Sequence, residues 1–181
     1  MLVQEAEKTH GVINLTLDEV AGNSPMADSR EGAHEGIDPL VQVLVAHTSG
    51  HLYDHMVGRM KQYPIPELRL PEGSGKALLD VGCNWGRWTI AAAQKSYTAV
   101  GIDPSLGAVF AARRVAASLG VEAHFVVGDA RFLPFADAAF DTVFSYSVIQ
   151  HFSKDDARAA LLEIARVLHD GGESLVQMPN A

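Results

Sequence analysis

Three acidic residues stand at or near the ends of three successive apolar segments, a pattern that could bind a nucleoside. Asp80 lies in "ALLDVGCNWG", Asp103 ends "YTAVGID" and Asp129 follows "HFVVG". Asp103 comes 21 residues after Gly82, the spacing at which an acid accepts hydrogen bonds from both ribose hydroxyls. Asp129 is placed to accept from an adenine amino group. Each acid alone is equally typical of a helix cap or turn, so the prediction depends on their joint occurrence.

The glycine turn between the first strand and its helix adds an amino-acid-binding feature. Gly82 and Gly86 permit close backbone approach, and the free N–H groups of the following helix attract an anion. Asp80 would repel a pyrophosphate but attract an ammonium group, which favours a zwitterionic ligand. Amino acid, ribose and adenine together indicate S-adenosylmethionine. An NAD site requires G-x-G-x-x-G, whereas this turn reads G-C-N-W-G.

Two bulky residues inside the turn raise separate questions. Asn84 tolerates left-handed backbone angles better than other non-glycine residues, which would preserve the turn. Trp85 has two interpretations of equal weight. It packs over the methionine portion of the ligand, where its face could meet the sulfonium cation, or it packs against the N-terminal helices.

Strand and helix patterns alternate from Lys76 onward and predict an α/β fold with a doubly wound, mostly parallel Rossmann-like sheet. Ser105 is expected to cap a helix through Leu119. Ser153 and Asp156 form a capping box for a later helix that runs to about Leu168. Gly171-Gly172 should end that helix. The predicted strands are "KALLDVG", "YTAVGID", "EAHFVVGD", "FDTVFSYS" and "SLVQM".

The chain divides into three predicted parts. Residues 1–38 are acidic and loop-rich, residues 39–75 form a helical lid followed by a proline-rich linker, and residues 76–181 form the ligand-binding domain. His47, His51 and His55 are spaced as a helical stripe that could share a metal. A solvated or lid-facing stripe is the favoured interpretation, and no metal site is predicted.

Composition narrows the functional classes. The 181-residue chain has a net charge of -8 and no run of basic residues, which argues against nucleic-acid binding. Its single cysteine, Cys83, excludes an intrachain disulfide. Neither a signal peptide nor a membrane-spanning segment is recognisable, which predicts a cytoplasmic protein.

These motifs resemble those of the class I S-adenosylmethionine-dependent methyltransferases, in particular the type 11 or ubiquinone/menaquinone-biosynthesis-like branch. The matching segments are "LLDVGCNWGRWT", "AVGIDPS", "FVVGDARFLPFADAAFDTVFSYSVIQHF" and "ARVLHDGGESLVQMPN". The resemblance implies S-adenosyl-L-methionine as cofactor, S-adenosyl-L-homocysteine as product and a small-molecule methyl acceptor. The implied cofactor-binding residues are Asp80, Gly82, Asn84, Trp85, Gly86, Asp103, Pro104, Asp129, Ala130, Arg131 and Tyr146.

Other implications of the resemblance concern the acceptor and the sheet edge. His151 is the predicted general base, with packing or capping of the next helix as an equal alternative. Gln150 and the lid residues His51 and Tyr53 are expected near the acceptor. The resemblance implies a fold that continues past the fifth strand with a helix and two strands, and these are not found in this sequence. Two expectations follow: the chain is a fragment, or a partner covers the fifth strand, with a homodimer as one arrangement.

Two other functions stay open at this stage. The first is a non-catalytic or truncated cofactor-binding module, which the apparently missing strands favour. The second, less favoured, is an NAD-type enzyme that uses the same kind of sheet.

Overall fold

Five parallel strands form one sheet in the order β3-β2-β1-β4-β5, which confirms the predicted Rossmann-like α/β class. The computed structural model describes residues 37–48 and 59–178. Its helices are α1 (Pro39–Thr48), α2 (Arg87–Gln94), α3 (Leu106–Ser118), a 3-10 helix (Ile149–His151) and α4 (Lys154–Val167). Its strands are β1 (Ala77–Val81), β2 (Thr98–Asp103), β3 (His124–Val127), β4 (Phe140–Tyr146) and β5 (Leu168–Gln177).

The central strand β1 is buried along its whole length, as a strand covered on both faces must be. Alternate side chains point to opposite faces of the sheet. Leu79 and Val81 join an apolar cluster with Ala160 and Ile164 of α4. Leu78 belongs instead to a cluster with Ala91 and Ala92 of α2, so these two helices cover opposite faces.

Serine caps set the beginnings of two helices, as predicted. The Ser105 hydroxyl accepts from the Ala108 N–H at 3.3 Å, and the Ser153 hydroxyl accepts from the Asp156 N–H at 3.1 Å. Ser153 also donates to the Asp156 carboxylate at 2.8 Å. Both caps satisfy N–H groups that the first helical turn leaves without partners.

The end of α4 differs from the prediction that Gly171-Gly172 stops this helix. The helix ends at Val167, and β5 begins at once with Leu168, which pairs with Phe140. The next pairing joins Glu173 to Thr142, so residues 169–172 bulge out of the strand. The physical reason is that Leu168 takes extended backbone angles and packs against the apolar cluster under the sheet.

The segment before the main domain packs beside α3. Asp38 caps α1 by accepting from the Leu40 N–H at 2.8 Å, and it forms an ion pair with Arg114 of α3. Ile37 and Val41 are buried in one cluster with several α3 residues. The predicted second helix of the lid, with His51, Tyr53 and His55, lies outside the described residues.

We expect Ser153→Ala to lower the free energy of unfolding by about 1 kcal/mol, because the first turn of α4 loses its cap. Urea denaturation followed by circular dichroism measures this change. Lys154→Ala, at an exposed neighbouring position, is the matched control and should change stability by less than about 0.5 kcal/mol. Equal losses in the two variants would show that the cap is not the source.

Candidate functional site

The turn between β1 and α2 is held open by three residues with positive φ angles: Gly82 at 78°, Asn84 at 51° and Gly86 at 84°. The N–H groups of Gly82 and Cys83 both donate to the Ile102 carbonyl, at 2.8 and 3.0 Å. These bonds fasten the turn to the end of β2. A Cβ at Gly82 would lie 2.3 Å from a Val148 methyl group, so this position also requires glycine for space.

Asn84 adopts a backbone conformation that usually favours glycine, and its own side chain stabilises that conformation. It adopts left-handed angles, and its side-chain oxygen accepts from the Trp85 N–H at 2.7 Å. Its backbone N–H donates to an Asp103 carboxylate oxygen at 2.9 Å. The predicted tolerance of this turn for asparagine is confirmed, since the amide stabilises the conformation locally.

Asp103 occupies the end of β2 and connects two elements. One carboxylate oxygen accepts from the Asn84 N–H, and the other accepts from the Ser105 N–H at 2.9 Å. A carboxylate has roughly four acceptor sites, so each oxygen keeps capacity for one more donor. The capping and ligand-binding interpretations of Asp103 are therefore compatible. Pro104 follows at an exposed position.

Asp80 lies beneath the turn rather than on its surface. Its side chain is 1% exposed, and it accepts from the Thr89 hydroxyl at 2.7 Å. Burial raises the pKa of this carboxyl to about 7, against the opposing effect of the Thr89 hydrogen bond. The structure thus shows Asp80 fastening α2 to β1. Its contact with a ligand ammonium stays a prediction.

The Asp129 carboxylate accepts hydrogen bonds from the side chain of Arg131. Arg131 donates to it through Nη2 at 2.6 Å and through Nε at 3.0 Å, and it also pairs with Asp156 at 2.7 Å. The Arg131 hydrogen bond is the main cause that lowers the pKa of Asp129. Ala130 is buried between them in the main apolar cluster. Arg131 therefore connects the predicted adenine end to the beginning of α4.

The position of Trp85 supports the second of the two interpretations, in which its side chain packs against the N-terminal part of the chain. Its side chain is 3% exposed and belongs to the apolar cluster of Ile37 and Val41. Its ring centroid lies 6.3 Å from that of Tyr63. The indole therefore packs against the N-terminal segment, and its role in the ligand site is to anchor the turn through this packing.

The segment after β4 abuts the turn. Tyr146 ends β4 with its ring partly exposed, and Val148 touches Gly82. His151 is exposed at the end of the 3-10 helix, and the amide of Gln150 lies 3.5 Å from its Nε2 atom. A catalytic role for His151 and an acceptor contact for Gln150 stay predictions.

Three residues have contacts in this region that were not predicted from the sequence. Thr89 donates a hydrogen bond to Asp80, and Asp156 accepts one from Arg131. Arg87 lies with its Cζ 5.6 Å from the Tyr146 ring centroid. Thr89 had a usable signal, because it lies in the first turn of the helix that follows the glycines. Asp156 had none, since its partner is 25 residues away in the chain.

Comparison with known proteins identifies the family. Residues 78–172, more than half of the chain, match a family described as "Methyltransferase domain". This chain belongs to that family. The predicted enzyme class and cofactor class are thereby confirmed at the level of the family.

Individual relatives agree with this assignment. The chain is 32% identical over 163 residues to the tRNA (carboxymethyluridine(34)-5-O)-methyltransferase alkbh8 of Xenopus tropicalis, covering 82% of this chain and 24% of the relative. It is 35% identical over 109 residues to ajmaline N-methyltransferase of Rauvolfia serpentina, covering 59% and 37%. The crystal structure of YcgJ from Bacillus subtilis superposes with a TM-score of 0.53 at 32% identity, covering 57% and 44%. This methyltransferase domain thus spans less than half of each relative's length.

Among the described residues, no group of three potential ligands could hold a metal ion. No described helix has the length and apolar character needed to cross a membrane. His47 belongs to α1, but its side chain and the other two histidines of the predicted stripe are outside the described part of the chain.

The raised pKa of Asp80 predicts a pH dependence of stability. The unfolded chain releases this proton near pH 4, whereas the folded chain holds it to about pH 7. Between these values the folded state binds the extra proton, so the free energy of unfolding falls as pH rises, by at most about 1.4 kcal/mol per pH unit.

Urea denaturation between pH 4 and 8 tests this expectation with Asp80→Asn. The free energy of unfolding of Asp80→Asn, relative to that of the native chain, should increase as pH rises from about 4 to about 7. The exposed Asp155→Asn serves as the control and should show no such trend. A pH-independent difference for Asp80→Asn would contradict the assignment.

Proposed function

We propose that this chain is an S-adenosylmethionine-dependent methyltransferase that acts on a small-molecule acceptor. The observation that carries the proposal is Asp103. Its carboxylate is tied to the glycine turn through the Asn84 N–H and still has one free acceptor site on each oxygen. That arrangement fits a ribose diol placed next to the open end of α2.

Different residues would hold the three portions of the cofactor. The turn and the first N–H groups of α2 would receive the methionine portion, with Asp80 neutralising positive charge from below. Asp103, beside Pro104, would bind the ribose. Asp129, oriented by Arg131, would accept from the adenine amino group, while the Ala130 backbone and Tyr146 would line the pocket.

The cofactor, when bound, supplies an activated methyl group on a sulfonium for in-line displacement. The protein needs mainly to orient the acceptor and exclude water. The buried cluster around Trp85 keeps the turn rigid, which fixes the approach direction. His151, on the segment that abuts Gly82, would remove a proton only from an acceptor that is protonated at neutral pH.

The small-molecule class is supported by charge and by some relatives. The net charge of -8 disfavours a long polyanionic partner. One relative is named for the small molecule ajmaline. A second acceptor class is a modified tRNA base, because a relative that matches 82% of this chain is named as a tRNA methyltransferase.

Three other parts of the proposal concern the surroundings. Residues 39–75 would act as a lid, which the packing of Ile37 and Val41 against the Trp85 cluster supports. The edge of β5, one of the two edge strands of the described sheet, would allow a homodimer. The protein would work in the cytoplasm, in agreement with its reduced, buried Cys83.

We expect Asp103→Ala to weaken S-adenosylhomocysteine binding by about 100-fold, because two charge-assisted hydrogen bonds are lost. Isothermal titration calorimetry measures the affinity. The exposed Asp155→Ala should bind like the native chain. Unchanged affinity in Asp103→Ala would remove the ribose assignment, and binding of NAD in place of S-adenosylhomocysteine would overturn the function.

Activity is tested with labelled S-adenosylmethionine and two acceptor panels, one of small aromatic and amine compounds and one of tRNA that carries modified bases. Label in the small-molecule panel supports the proposal, and label in tRNA alone supports the second acceptor class. No transfer to either, with the cofactor bound, would favour a non-catalytic binding module.

For a phenol acceptor we expect His151→Ala to lower kcat by about 100-fold, the usual effect of a general base. For an acceptor that is already ionised the same variant should leave kcat unchanged. Lys154→Ala, at an exposed position three residues further along the chain, is the control. Equal losses with both kinds of acceptor would assign His151 a structural role.

A further inference from the structure

A cavity of about 680 Å³ opens at the carboxyl ends of β4 and β5, on the face of the sheet that carries α2. Small-molecule sites typically enclose about 300 to 1,000 Å³. None of the turn residues 82–86 lines this cavity, and it shares only Tyr146 with the predicted cofactor-binding residues, so it adjoins the predicted cofactor crevice rather than coinciding with it. Its walls come from the linker, from Trp88 of α2, and from β4 and β5. The lining residues are Glu67, Leu68, Arg69, Leu70, Trp88, Phe144, Tyr146, Leu175, Val176 and Gln177.

One wall of the cavity consists of three aromatic rings. The Trp88 centroid lies 5.0 Å from that of Tyr146 and 5.3 Å from that of Phe144. Phe144 and Tyr146 alternate along β4, so they face the same side, and their planes differ by only 18°. The Trp88 ring is tilted against them, by 54° to Phe144 and 38° to Tyr146, so the wall combines two nearly parallel rings with one tilted ring. A planar aromatic molecule is the complementary ligand.

A cation stands at the end of this wall that is nearest the turn. The Arg87 guanidinium lies over the rings of Trp88 and Tyr146, with its Cζ 5.8 and 5.6 Å from the two centroids. Within residues 37–48 and 59–178, Arg87 has no carboxylate partner among the ion pairs. Arg69 and the single acid Glu67 line the cavity. Arg87 is not itself a lining residue, but it stands over two of the lining rings and so leaves one positive charge in excess. The charges therefore favour an anionic ligand.

We propose that this cavity is the acceptor pocket and that the acceptor is a flat aromatic molecule with a carboxylate or another ionised oxygen. Its ring would lie on the wall of Trp88, Phe144 and Tyr146, and its oxygen would point toward Arg87. This inference rests on the proposed function. Arg87 follows Gly86 directly, so the anionic end of the acceptor would adjoin the turn that is expected to hold the methionine portion.

The chemistry of an ionised oxygen suits this site. Its lone pair forms the new bond to the methyl carbon while the electron pair of the breaking carbon–sulfur bond stays on sulfur, so no proton has to be removed. An anion between Arg87 and a sulfonium also relieves the repulsion of two positive charges. A general base is then unnecessary for this class of acceptor.

The test uses 2-naphthoate and its neutral isostere 2-naphthamide as probes, titrated calorimetrically into the full chain saturated with S-adenosylhomocysteine. We expect the naphthoate to bind about tenfold more tightly than the amide, as one charge-assisted hydrogen bond provides. Arg87→Gln should remove that preference. Arg158→Gln, on an exposed part of α4 on the other side of the sheet, should keep it.

A second variant locates the probe without removing any charge. Leu175→Trp fills the cavity and should abolish binding of both probes, while the affinity for S-adenosylhomocysteine stays within about twofold because the cofactor crevice does not include Leu175. Thermal denaturation followed by circular dichroism verifies that each variant is folded.

Several results would overturn the inference. These are equal binding of the two probes, a preference that survives Arg87→Gln, or probe binding that survives Leu175→Trp. If S-adenosylhomocysteine binds but neither probe does, the acceptor pocket fails and the proposed function stands. If S-adenosylhomocysteine does not bind, the proposed function fails, and any binding of naphthoate then lacks an acceptor role.

Discussion

The site depends on the attachment of the glycine turn to the end of β2. Two turn N–H groups donate to the Ile102 carbonyl, and a third, from Asn84, donates to the Asp103 carboxylate. Because these bonds join adjacent parallel strands at their carboxyl ends, the opening of α2 and the acid of β2 keep a fixed separation. A ligand that spans both must match that separation, as the proposed S-adenosylmethionine, a nucleoside attached to an amino acid, would have to do.

Burial of the Asp80 carboxyl is the energetically unfavourable part of this arrangement. Asp80 is enclosed under the turn with one hydroxyl partner, and its pKa is raised to about 7 by burial. This carboxyl is therefore protonated below about pH 7 and ionised above it. By contrast, the half-buried carboxylates of Asp129 and Asp156 both pair with the guanidinium of Arg131.

The two faces of the sheet differ in how completely they are covered. The face under α4 is a closed apolar core with Phe135 and Phe140. The face that carries α2 is packed near β2 by Trp85 and the N-terminal segment, but it opens into a cavity beside β4 and β5. The open part adjoins the turn, so the same helix serves the predicted cofactor crevice through its N–H groups and the proposed acceptor pocket through Trp88.

The sequence by itself determined the fold class, the order of strands and helices, and the positions of the three acids, because strand-end acids and glycine turns are encoded locally. It also indicated that Asn84 would tolerate the turn. Only the tertiary structure decided where those side chains point. Asp80 proved to be enclosed, Trp85 packed toward Ile37, and Asp156 held Arg131 from 25 residues away. Local pattern does not specify such contacts, since burial and long-range pairing arise only when the strands assemble and the helices cover them. The early start of β5 at Leu168 has the same cause, because packing on the core outweighed the glycine pair as a boundary.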